Sequence, residues 1–200
     1  MQSAPLPIFT VGHSTRTAEE FIALLRAHAI EQLVDVRTIP RSRHNPQFAG
    51  DALSRSLHDV GIRYQHIKSL GGLRHARRDS VNTGWRNTSF RGYADYMQTP
   101  EFEHALDELI TLARERRTAI MCAEAVPWRC HRSLIADALL VRGIDAEEIA
   151  SPTSTRRHTL TSFAQVNGTR ITYPPQNAQP VSTTQAKAAS MLENNRQRTH

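Results

Sequence analysis

Ala119–Arg132 reads A-I-M-C-A-E-A-V-P-W-R-C-H-R, and its reading decides the fold. An apolar run, Ala119-Ile120-Met121, stops at Cys122, and Ser133–Leu140 then repeats apolar residues at helical spacing up to Gly143. This is the pattern of a buried strand, a loop and a helix. In an open α/β sheet such a loop leaves the C-terminal edge of the strands, where ligands bind. Both cysteines of the chain lie in it, with Glu124, His131, Arg129 and Arg132. Cys130-His131-Arg132 falls at the expected helix N-terminus, where free N–H groups and the helix dipole favour a thiolate or a bound anion.

Working outward, Pro7–Gly12 is a first short strand, with Thr15 or Thr17 as the cap of a helix carrying Phe21, Ile22, Leu24 and Leu25. Leu33–Arg37 is a second strand, broken at Pro40. The resulting β-α-β opening predicts a parallel sheet. Asp51–Val60 reads as a helix, Ile62–Ile67 as a third strand and Arg74–Asn87 as a long polar loop that Trp85 anchors. Phe90–Met97 and Glu101–Arg116 read as consecutive helices, Ala146–Ala150 as a last short strand, Leu160–Val166 as a short helix and Arg170–Tyr173 as a small strand. The fold class is therefore α/β, a three-layer, Rossmann-like arrangement with a mostly parallel sheet flanked by helices. One domain spans residues 1–173. Residues 174–200, rich in Pro, Gln, Asn, Ser and Thr, are expected to be a disordered polar tail.

Two hundred residues suffice for one ordinary core. No apolar stretch approaches the roughly 20 residues that cross a bilayer, and Met1–Pro7 lacks the basic start and apolar segment of a secretory signal. The expectation is a cytoplasmic protein, most naturally bacterial, with no membrane partner and with its two cysteines reduced. The net charge of +6 suits a polyanion, so nucleic acid stands as a possible partner. The arginines are scattered, however, and no zinc-finger spacing or RNA-binding aromatic signature accompanies them.

Four chemistries fit Cys122, Glu124, Cys130 and His131: nucleophilic catalysis by a thiolate, a thiol switch, a metal site, or buried structural thiols. A tyrosine-phosphatase loop needs arginine six positions after its cysteine, but Trp128 and Ala136 stand there. A rhodanese loop normally has a basic residue at five, where this chain has Pro127 and Ile135. The spacing of Cys122 to Cys130-His131 is not a standard metal-ligand pattern, and no metal is assigned. Arginines after the second strand, Arg37, Arg41 and Arg43, suit phosphate or carboxylate. Glu124, beside Arg132, reads as an arginine-pairing acid.

Taken together, Phe9–Ser14, Leu33–Arg37 with Pro40-Arg41-Ser42, Gly61–Tyr64 and Leu70–Gly72 resemble the uncharacterised family catalogued as domain of unknown function 488. Met121–Glu124 with Pro127, Cys130, His131 and Arg132 matches the family's hallmark block. The resemblance covers about residues 8–150, and Ala125-Val126 departs from the charged pair common there. It implies a domain identity without an established activity. It also makes Gly12, His13, Ser14, Asp35, Arg37, Pro40, Arg41, Ser42, Gly71, Gly72, Cys122, Glu124, Cys130, His131 and Arg132 motif positions.

The expectation is an enzyme acting on a phosphate-bearing small molecule or a nucleic-acid component. Cys122 is the nucleophile or redox thiol, and Glu124 and His131 carry protons. His13, Ser14, Arg37, Arg41, Arg43, Gly71, Gly72, Cys130 and Arg132 bind the phosphorylated or nucleotide-like ligand. The rival is a non-catalytic nucleotide or nucleic-acid binding module with structural cysteines. The sequence names no cofactor and no oligomeric state.

Overall fold

Strands at the centre of this sheet are buried at every position because helices cover both faces. The computed structural model describes residues 6–41 and 43–175. Its main sheet has the order β3-β2-β4-β1-β5-β6, built from β1 (Ile8–Gly12), β2 (Gln32–Asp35), β3 (Arg63–His66), β4 (Thr118–Cys122), β5 (Ala146–Ser151) and β6 (Ser154–Arg157). The first five run parallel and β6 returns antiparallel along the edge. The five α-helices among the described residues are α1 (Ala18–Ala27), α2 (Gly50–His58), α3 (Thr88–Tyr96), α4 (Pro100–Glu115) and α5 (Arg132–Leu140). None of them is long and apolar enough to cross a membrane.

Period-two alternation sorts the strand side chains into two cores. Phe9, Val11, Leu33, Ala119 and Met121 pack with Phe21 and Leu25 of α1 and Leu53 and Leu57 of α2. Ile8, Val34, Val36, Ile120 and Cys122 face the opposite layer, which α3, α4 and α5 supply. The helix starts carry their own signals. Thr17 and Glu20 form a reciprocal capping box on α1. Thr99 caps α4, with Pro100 in its first turn.

The three-layer expectation and the parallel opening are therefore met. One local expectation is corrected. Leu160–Val166 is not a helix: its end is β7 (Gln165–Asn167), paired antiparallel with β8 (Arg170–Thr172). Gly168 takes φ +61° at the intervening turn, which directs the chain into a hairpin. The polar segment after Ser151 contains β6. The tail expected from Pro174 lies, from residue 176 on, outside the described residues.

The long 74–87 loop is tied down. The Asp95 carboxylate accepts from the Arg77 backbone N–H, the Ser80 hydroxyl and the Asn82 amide, at 2.8, 2.6 and 2.7 Å. Trp85 packs on Phe90, Phe163 and Tyr173, the anchoring role read from the sequence.

Adjacent strands β1 and β4 send their chains to opposite faces, β1 into α1 and β4 into α5. That divergence opens a crevice at their C-terminal ends, the place where such sheets take ligands.

Candidate active site

The crevice is a cavity of about 480 Å³. Four strand ends feed it: His13 follows β1, Arg37 follows β2, Gly72 lies beyond β3 and Cys122 ends β4. The β1–β4 ladder continues past the strands, with the His13 N–H donating to the Cys122 carbonyl at 3.0 Å and the Ser14 N–H to that of Ala123 at 3.1 Å. This zippering fixes the start of the cysteine loop. A short 3-10 turn, Pro127–Arg129, returns the loop to Cys130 at the head of α5.

At the floor, Cys122 Sγ and Cys130 Sγ lie 2.7 Å apart, both buried and both reduced. Arg132 Nε donates to Cys122 Sγ at 3.0 Å, and the His131 ring places Nδ1 3.6 Å from Cys130 Sγ. His131 Nε2 is 2.9 Å from the Val36 carbonyl, to which it donates. That bond fixes the ring with Nδ1 facing the sulfur. The two thiols titrate as one pair. The hydrogen bond from Cys122 holds Cys130 well below the ordinary thiol range, with His131 and Arg132 assisting. Cys122, which gives that hydrogen bond and is buried, is pushed well above it. The low-lying thiolate is thus Cys130, at a helix start, rather than Cys122 at the strand end.

Arg132 is fully buried and does not line the cavity. Its Nη2 donates to the Glu124 backbone carbonyl at 2.6 Å, and its Nη1 approaches Glu148 Oε2 at 3.3 Å. Thr10 also hydrogen-bonds Glu148. The arginine's acid partner is Glu148 of β5, not Glu124 as expected from their proximity in sequence. The Glu124 carboxylate instead accepts from the Val126 backbone N–H at 3.1 Å and lines the cavity. Glu148 could not be read from sequence because its strand position, two residues along β5 from buried Ala146, becomes informative only once β5 is laid beside β1.

His13 is enclosed. Its ring stacks on Phe48 with centroids 4.1 Å apart, Nδ1 donates to the Ser14 carbonyl at 2.8 Å, and Arg37 Nη1 donates to Nε2 at 3.5 Å. Burial lowers its pKa to about 4, so the ring is neutral at pH 7. Arg37 is held by the Asp35 carboxylate, through Nε at 2.9 Å, and by the Phe48 carbonyl at 2.8 Å. It presents an oriented edge to the cavity rather than a free side chain. Tyr64 donates to the same Asp35 at 2.8 Å.

The remaining expected residues divide. Arg41 lines the cavity from an exposed position, whereas Arg43 is exposed and is not among the lining residues. Ser14 contributes main-chain bonds and Gly71 contributes packing; neither lines the cavity. A Cβ on Gly71 would sit 2.7 Å from Thr38 Cα, and one on Gly72 would sit 2.5 Å from His131 Nδ1. The paired glycines thus admit a loop and an imidazole. Arg129, Asn87 and Ser89 also line the cavity. Arg129 lies in the cysteine loop but outside the expected site residues, and the other two belong to a distant loop and helix start, which sequence spacing does not bring to the site. Among the described residues, no three His, Cys, Asp or Glu side chains are grouped as metal ligands.

Comparison with known families adds one finding. The family described as "Domain of unknown function DUF488" matches residues 17–139. Neither the curated proteins nor the solved structures give a match.

Proposed function

The chain belongs to the DUF488 family, whose description names no reaction, and from the geometry of the site we propose a thiol-dependent enzyme that acts on a small phosphate-bearing molecule. One observation carries this reading. Two sulfurs sharing a hydrogen bond at 2.7 Å form the floor of a cavity that Arg37, Arg41 and Arg129 line. A buried thiol pair with a lowered member is an activated nucleophile, and guanidinium groups suit phosphate oxygens.

In this reading Cys130 Sγ attacks phosphorus as the bond to the leaving oxygen breaks. His131 Nδ1 takes up the thiol proton and delivers it to the departing oxygen. Water, with Glu124 as its base, then cleaves the S–P bond, releasing phosphate and restoring the thiol. Cys122 steadies the thiolate by hydrogen bonding, and Arg132 holds Cys122 and the loop carbonyl in place.

The test is hydrolysis of an aryl phosphate by the full chain and by Cys130→Ser, with phosphate binding followed calorimetrically in both. Retained binding with turnover reduced by 10³-fold or more, on the order expected for loss of a nucleophile, supports the enzyme. Unchanged turnover ends the thiol mechanism. Binding without turnover even in the unaltered protein would favour a nucleotide or nucleic-acid binding module. For nucleic acid, that binding should weaken steeply as salt is raised.

A further inference from the structure

The mouth of the same cavity has a second chemical character. Ile39 and Leu73 both line it and are 59% and 72% exposed, among the largest apolar exposures of the described residues. A single exposed aliphatic side chain needs no explanation. Here two from different loops are held at one opening by a specific tie. The Leu73 N–H donates to Thr38 Oγ1 at 3.1 Å, and Gly71 lies so close to Thr38 that no side chain would fit between them. The loop after β2 and the loop after β3 are therefore joined into one rim. Phe90, at the start of α3, continues the apolar surface inward.

Buried sulfurs and the buried Arg37 at the floor, with exposed Ile39 and Leu73 at the mouth, make the cavity amphipathic. Its volume of about 480 Å³ falls in the range of roughly 300–1,000 Å³ typical of small-molecule sites. That is far more than a bare phosphate fills. We propose that the substrate is a phosphate monoester carrying an aryl or compact alkyl group, and that Ile39 and Leu73 select that group. The inference rests on the anion-site reading above and extends it to the rest of the substrate.

Calorimetric titration of the full chain with inorganic phosphate and with phenyl phosphate tests it. Burial of a ring against the rim should make phenyl phosphate bind at least about tenfold more tightly. The double variant Ile39→Ser/Leu73→Ser, altered only at exposed positions, should erase that preference while leaving the affinity for inorganic phosphate unchanged. Equal affinities in the unaltered protein overturn the proposal, as does a preference that survives the double variant. Failure of both ligands to bind removes the anion reading itself, and the proposal with it. Inorganic phosphate binding with no phenyl preference leaves that reading standing and removes only the apolar selection.

Discussion

At the scale of single residues, the site is governed by which group holds each proton. Cys130 owes its lowered pKa first to the hydrogen bond from Cys122. Iodoacetamide should therefore modify Cys130 well below the ordinary thiol midpoint of about 8.5, with Cys122 modified only at higher pH. Cys122→Ala removes the donor and should move the Cys130 midpoint upward, read by site-resolved mass spectrometry across pH. An unchanged midpoint would transfer the credit to Arg132 and His131. His13 makes the opposite kind of prediction. Its pKa is lowered in the folded protein to about 4 from an ordinary 6.5, so the unfolded chain binds the proton more readily. The contribution of His13 to stability is full above about pH 6.5 and is lost as pH falls through 4, amounting to at most about 3 kcal/mol. Urea unfolding at pH 7, 5.5 and 4 should show that loss, and His13→Gln should flatten it. A variant with the acid sensitivity of the parent would place the titrating group elsewhere.

At the scale of elements, the site depends on close backbone approach between strand ends and loops. Gly12 pairs with Cys122 in the β1–β4 register, and beyond it the chain runs directly under the cysteine loop. A Cβ there would overlap the Glu124 carbonyl and lie 2.8 Å from Ala125 Cα, both main-chain atoms that cannot rotate away. Gly12→Ala should cost at least about 1–3 kcal/mol, the usual range for overpacking, and should disturb both thiols because the same loop carries them. A drop in the urea midpoint together with altered Cys130 alkylation is the expected result; an unaffected variant would mean the loop yields easily. Much of this element plan was legible. The apolar strands, the helix after Cys130 and the β-α-β opening follow from periodicity and breakers, and the convergence of four strand ends follows from parallel topology. The Asn167-Gly168 hairpin was missed although its turn signal is local, because the few apolar residues from Leu160 to Val166 also fit a helical spacing. Roles set by distance in space were not legible. Glu124 and Arg132 are close in sequence yet meet only through a main-chain carbonyl, while Arg132 and Glu148 meet across the sheet.

At the scale of the whole molecule, the family match and the folding unit do not coincide. Residues 17–139 include β2, β3, β4 and all five helices except Leu140, the last residue of α5, but omit β1, β5 and β6. Yet β1 lies inside the sheet, hydrogen-bonded to β4 on one side and β5 on the other. It brings Thr10 to Glu148 and His13 to the cavity. The fully buried Arg132 takes its acid partner from β5. Asp137 of α5 receives the Tyr173 hydroxyl at 2.9 Å and the Thr161 N–H at 3.1 Å, which fastens the later segments onto the same helix. A fragment of residues 17–139 would expose one edge of β4 and leave Arg132 buried without its carboxylate. Stranding one member of a buried pair alone costs about 3–5 kcal/mol, against a total stability of about 5–15 kcal/mol for an ordinary domain. Loss of the β1 ladder and its apolar side chains adds to that. The fragment should therefore show no cooperative urea transition by circular dichroism and no lowered thiol pKa at Cys130, whereas the full chain should show both. A sharp transition in the fragment would mean that the matched segment is a self-sufficient core and that β1 is an addition to it. Its absence would mean that the cysteine loop is shaped by strands from outside the matched segment, so that the chemistry of Cys130 belongs to the complete sheet.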